Sequence, residues 1–143
     1  MSDPQQVYPP VAPYLMVRDG DRALAWYQAA LGATVSERYD HGGKLGHATL
    51  RLPNRGCVFL SDEFPEMADR TGTQSPAALG GTTCTVALEV PNADAAHVRA
   101  LEAGAQELRP PADEFYGRMS KVRDPFGHVW SFSGPTRTEP AQG

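Results

Sequence analysis

Residues 17–33, VRDGDRALAWYQAALGA, and residues 90–105, VPNADAAHVRALEAGA, carry one plan written twice. Each stretch opens on the apolar end of a strand, Val17 or Val90. A short polar side chain follows, Asp19 or Asp21 in the first copy and Asn92 in the second. Its oxygen can take a free N–H at a helix start. An Ala-rich helix comes next. In the first copy Ala23, Trp26, Tyr27, Ala30 and Leu31 fall at i, i+3, i+4, i+7 and i+8, which is one apolar face, with Trp26 read as core. Each copy closes on a glycine, Gly32 or Gly104, fitted to a left-handed stop. The two glycines set a repeat of about 72 residues. A module that small buries too little apolar surface to be stable alone, so two copies are expected to pack together.

Outward from the two helices the pattern turns to strands. In the first copy these are Ala12–Val17 before the helix, then Thr34–Tyr39, Gly46–Leu52 and Cys57–Ser61, with a turn at Pro53-Asn54-Arg55-Gly56. In the second they are Thr83–Val90, Gln106–Arg109, Tyr116–Arg123 and His128–Ser133, with Pro110-Pro111 in a loop. Asp124-Pro125-Phe126-Gly127 is a turn with a mechanism: Asp bonds the turn backbone, Pro fixes φ and Gly accepts positive φ. The organisation expected is a flexible arm (1–10), a βαβββ module (11–63), a linker loop (64–82), a second βαβββ module (83–134) and a disordered tail (135–143). The linker is rich in Pro, Gly, Ser and Thr without periodicity, so it reads as a mobile loop able to cover a pocket mouth. The fold class is α+β: two paired βαβββ modules form a curved mixed sheet around a cavity, with helices on the outer face. Alternation in the last strand puts Trp130 and Phe132 on one face and Val129 and Ser131 on the other.

Composition narrows the function. At 143 residues with 41% hydrophobic content the chain can form a globular core, as one domain or two half-domains. A net charge of −4 without a basic cluster argues against nucleic acid as a partner. No apolar run nears the roughly 20 residues of a membrane span, and the polar, Pro-rich start lacks a signal-peptide core. The expected location is the cytoplasm, where Cys57 and Cys84 read as two free thiols.

Several short segments, in order, resemble the vicinal oxygen chelate superfamily of glyoxalase I, extradiol dioxygenases and bleomycin and fosfomycin resistance proteins. They are Pro13-Tyr14-Leu15, Ala25-Trp26-Tyr27 before Leu31-Gly32-Ala33, and Gly46-His47-Ala48. In the second half they are Ala103-Gly104-Ala105, Tyr116-Gly117-Arg118 and Asp124-Pro125-Phe126-Gly127-His128-Val129-Trp130. The last is most similar to the PhnB-like, bleomycin-resistance branch, and the likeness covers roughly residues 11–134. The resemblance implies four inward-facing metal ligands, one on the first and one on the last strand of each module. The matching positions here are Ala12, Phe59 (or Ser61, one register away), Thr85 and Ser131. None offers an imidazole or carboxylate. The resemblance therefore implies no metal and no cofactor. It implies instead a binding cavity of the bleomycin-resistance type, in a homodimer.

The candidate residues follow from this. Tyr14, Met16, Phe59, Phe64, Phe115 and Tyr116 form an aromatic and apolar set suited to line a cavity, with Ser131 at its polar edge. Arg118 reads equally as a clamp for an anionic group and as a structural ion-pair partner. His47, between Gly46 and Ala48, is either a pocket base or ligand contact or a hydrogen-bonded strand histidine. Asp62 ends a strand at the linker and is the better pocket-rim acid of the pairs Asp62-Glu63 and Asp113-Glu114, which otherwise read as solvated loop charge. His41 reads as a solvated loop residue, His97 as a surface residue of the second helix and His128 as a turn anchor. Cys57 has no positive neighbour in sequence to make it a thiolate. The expected function is metal-free sequestration of a bulky, partly aromatic antibiotic or metabolite. The alternative is a glyoxalase-like lyase or isomerase with a relocated or absent metal, in which His47 and Asp62, with Arg118, move protons.

Overall fold

The computed structural model describes residues 9–137. The expected flexible arm and disordered tail lie largely outside them. The chain divides into two compact units, Met1–Gly81 and Thr82–Gly143. Each holds one copy of the repeated plan and its own four-stranded mixed sheet.

The first unit runs β1 (Tyr14–Val17), α1 (Gly20–Leu31), β2 (Thr34–His41), β3 (Lys44–Arg51) and β4 (Cys57–Asp62). The sheet order is β1-β4-β3-β2. Its β1–β4 pair is parallel, with Tyr14 opposite Phe59 and Met16 opposite Ser61, and the other pairs are antiparallel. One face carries Leu15, Val17, Ala48, Leu50, Val58 and Leu60, all buried. They form the core with Ala23, Leu24, Tyr27, Ala30 and Leu31 of α1. Trp26, expected in that core, is only half-buried, and the fully buried ring is its neighbour Tyr27. Asp19 caps α1 as expected, its side chain accepting from the Arg22 N–H. Gly32 ends the helix in the left-handed region (φ 69°).

Two bulges decide which side chains reach the other face. Tyr39 pairs with His47 but Asp40 pairs with Leu45, so Gly46 is the extra residue of β3. The bulge lets Leu45 point into the core while His47 points away from it. A second shift, between Val35 and Glu37, brings Glu37 opposite Thr49.

Residues after β4 are more ordered than their composition suggests. A 3₁₀ turn (Pro65–Met67), α2 (Ala68–Thr71) and α3 (Pro76–Leu79) replace the expected irregular loop. Ser75 caps α3 and Pro76 starts it. The fixed point is Glu63, a buried carboxylate. It accepts from the Ser75 Oγ (2.5 Å), the Ser75 N–H (3.3 Å) and the Arg18 Nε (2.5 Å). Glu63 is thus not the solvated loop charge that its sequence position predicts.

The second unit repeats the topology: β5 (Thr85–Glu89), α4 (Ala93–Glu102), β6 (Gln106–Glu114), β7 (Gly117–Arg123) and β8 (Val129–Gly134), in the order β5-β8-β7-β6. Trp130 and Phe132 face the core with Val86, Leu88 and Val122, as the alternation predicts. Asp124 holds the turn, accepting from the N–H groups of Phe126 and His128 and from the Trp130 indole. Two expectations fail here. Pro110-Pro111 lies inside β6 rather than in a loop. The strand is the sheet edge and its register shifts between Arg109 and Ala112, so the missing N–H groups break no ladder. His97, expected on the surface, is 2% exposed, and its Nε2 lies 2.7 Å from Glu107 of β6. No helix among the described residues is long and apolar enough to cross a membrane.

Candidate functional site

The face of the first sheet opposite α1 opens into a cleft of about 730 Å³. Its floor is Tyr14 and Met16 from β1, Tyr39 and His41 from β2, His47 from β3 and Ser61 from β4. Phe64, Met67, Thr71 and Thr73 supply one wall. Phe64 meets the His41 ring edge-on at 5.6 Å, and the Lys44 ammonium lies 4.7 Å from its centroid. Lys44 also donates to the Glu63 carbonyl at 2.7 Å, so the ring sits against a held cation. Thr73 donates to the Met16 sulfur at 3.3 Å. Rings and thioethers thus form most of the lining, and a few polar tips interrupt it.

Four of the expected pocket residues meet there: Tyr14, Met16, His47 and Phe64. Phe59 packs beside them, 5.6 Å from Tyr14 and 5.3 Å from His47 between ring centroids, and so holds both rings in place. Burial raises the Tyr14 phenol above its ordinary pKa. The Tyr14 hydroxyl lies 2.8 Å from His47 Nδ1, and His47 Nε2 lies 3.0 Å from Thr49 Oγ1. Thr49, fully buried, donates to Glu37 Oε2 at 3.4 Å. His47 is therefore a hydrogen-bonded strand histidine that also lines the cleft.

The remaining candidates lie elsewhere. Asp62 is no rim acid. It is buried, and it accepts from the Gly20 N–H (2.7 Å) and the Leu45 N–H (2.8 Å), tying the start of α1 to β3. Phe115, Tyr116, Arg118 and Ser131 belong to the second unit. Phe115 is fully exposed on the β6–β7 turn, where its ring meets Tyr116 edge-on at 5.0 Å. Tyr116 borders a shallower depression of about 390 Å³ with Ala87, Glu89 and Ser133. Arg118 takes the structural role. It grips Asp94 through two nitrogens (2.6 and 3.1 Å) and reaches Asp113 at 3.3 Å. The Asp94 carboxyl is held below its usual range first by that hydrogen bond, and Asp113 is lowered by the Arg137 N–H and then by Arg118. Ser131 is buried on β8. Cys57 is buried and Cys84 exposed, both free. Burial pushes the Cys57 thiol up, against the smaller pull of Arg51.

Local pattern did not point to Tyr39, His41, Glu37 or Thr49. For His41 a signal existed in the Gly42-Gly43 pair. It makes a tight turn that lets β2 run to His41 instead of ending at Tyr39.

The family's metal does not fit these residues. Ala12 precedes β1, so the positions of β1 and β4 on the cleft face are Tyr14, Met16, Phe59 and Ser61. The second unit offers Thr85, Ala87, Val129 and Ser131 on the matching strands. Phenol, thioether and hydroxyl are poor donors for the divalent metals of such sites, and both His47 nitrogens have partners. Among the described residues no three His, Cys, Asp or Glu side chains gather as a metal-binding group.

Comparison with known proteins agrees with the geometry. The model of the Glyoxalase/Bleomycin resistance protein/Dioxygenase superfamily matches residues 9–132. An uncharacterized protein of Mycobacterium bovis is 40% identical over 133 residues, which is 92% of this chain and 86% of that protein. Among solved structures, TioX from Micromonospora sp. ML1 is 27% identical with a TM-score of 0.66, covering 92% of this chain and all of that one. A gene product of Arabidopsis thaliana is 25% identical with a TM-score of 0.68, covering 89% and 99%.

Proposed function

The chain belongs to the glyoxalase/bleomycin resistance protein/dioxygenase superfamily, and from that premise we propose that it is a metal-free binding protein for a bulky, partly aromatic small molecule. The ligand sits in the cleft of the first unit and is held without bond-making, as an antibiotic or metabolite kept out of circulation. The observation that carries this reading is the lining: Tyr14, Tyr39, His41, His47 and Phe64 present ring surface around one cleft, with Met16 and Met67 as adaptable thioethers. The absence of a ligand set at the family's metal positions supports binding over metal-assisted lyase chemistry.

The test is calorimetric titration with a panel of aromatic antibiotics and secondary metabolites chosen by thermal shift. A binder should saturate at one molecule per cleft and be recovered unchanged. Tyr14→Ala and Phe64→Ala should each weaken it about fivefold or more, since each stacked ring contributes about 1 kcal/mol beyond its area. Phe115→Ala should leave affinity as it was. Loss of binding in Phe115→Ala with full binding in Tyr14→Ala would refute this placement.

A further inference from the structure

The hydrogen bonds behind Tyr14 run in one direction, and that direction has a chemical consequence. Glu37, as a carboxylate, can only accept, so the single proton of Thr49 is committed to it. The Thr49 oxygen must then accept from His47 Nε2–H. That fixes the neutral imidazole with its lone pair on Nδ1, which takes the proton of the Tyr14 hydroxyl. The phenolic oxygen is left with lone pairs and no proton to offer the cleft.

We infer that Tyr14 is a directed hydrogen-bond acceptor which selects ligands bearing an acidic O–H, such as phenols, and that the Tyr14–His47–Thr49–Glu37 chain can carry that proton inward. The inference rests on the cleft being the ligand site. The transfer balances within the chain. The ligand O–H proton moves to Tyr14 Oη, and the Tyr14 proton moves to His47 Nδ1. The resulting imidazolium keeps its Nε2–H on Thr49, which still donates to Glu37. Nothing is oxidised or reduced, and the ligand is left as a phenolate hydrogen-bonded to Tyr14. Tyr14 and His47 are held for this by Phe59, which touches both rings. Other titratable side chains lining the cleft are Tyr39, Asp40 and His41. Tyr14 is the residue that touches the ligand, whereas Thr49 and Glu37 act through His47 as positioning residues.

The probes are matched pairs differing only in the donor: 4-nitrophenol against 4-nitroanisole, and 2-naphthol against 2-methoxynaphthalene. Wild-type protein should bind each phenol about five- to tenfold more tightly than its methyl ether, the usual worth of one hydrogen bond. Bound 4-nitrophenol should show its phenolate band at a pH well below its own pKa. Tyr14→Phe should bring the ratio to about one and abolish the band. Glu37→Gln, whose amide can donate to Thr49 and reverse the chain, should also collapse the ratio without loss of ether binding. Equal wild-type binding of phenol and ether would overturn the inference and leave the cleft as a ligand site. A ratio unmoved by Tyr14→Phe would do the same. Failure of both phenols to bind a protein that takes up members of the aromatic panel would overturn the inference alone, and failure of every panel member would remove the proposed function with it.

Discussion

Asp62 shows how much one buried side chain can decide. Its two oxygens serve the first backbone N–H of α1 and an N–H of β3, neither of which has water to turn to. Asp62→Ala should cost on the order of 3 kcal/mol, because it strands buried donors. Asp62→Asn keeps one acceptor and should cost less; urea denaturation of both variants measures the difference. Gly20 is bound into the same knot. A Cβ there would lie 2.7 Å from the Leu45 Cβ, so Gly20→Ala should lose about 1–3 kcal/mol although alanine favours helices. The sequence reading placed Asp62 correctly at the end of a strand but could not see its partners, which are 42 and 17 residues away. His97 was misread for the same reason. It shares the buried face of α4 with Ala93 and Ala100, and its polar partner, Glu107, lies ten residues away on β6.

The segment from Phe64 to Leu79 behaves as one element, closed on itself by Glu63. Burial pushes the Glu63 carboxyl up, but the Ser75 and Arg18 hydrogen bonds outweigh it and hold the pKa below the ordinary 4.5. A folded pKa below the unfolded one contributes stability that is full above the ordinary glutamate range. It is lost as pH falls through the lowered value. Hydrogen-exchange protection across residues 64–80, taken relative to the intrinsic rate at each pH, should therefore fall on acidification before that of the β3 and β4 amides does. Glu63→Gln should show the lower protection already at neutral pH. Regular elements were legible wherever a local period existed: both helices, their caps, the Asp124 turn and most strands. This segment has no period, and its order comes from a carboxylate that composition counts only as a charge. β6 fails differently, since the two prolines that read as a break are tolerated on a sheet edge.

For the molecule as a whole, the duplication was the legible feature, and the division of the aromatic set was not. Phe115 and Tyr116 look like Tyr14 and Phe64 in composition, yet they occupy a hairpin turn of the other unit. Limited proteolysis should cut first between Gly80 and Cys84, a largely exposed stretch without regular structure. Mass spectrometry should find two fragments matching the two units before any cut within a sheet.

The pairing of β1 with β4, and of β5 with β8, also bears on how the chain is born. Among the described residues every strand finds its neighbours within its own unit. When the ribosome adds Thr82, the first sheet already has all four of its strands. Translating the remaining residues takes on the order of seconds, which is ample for these strands to begin pairing. β4, which would otherwise stand as an open, aggregation-prone edge, can be paired by β1 while the second half is still being made.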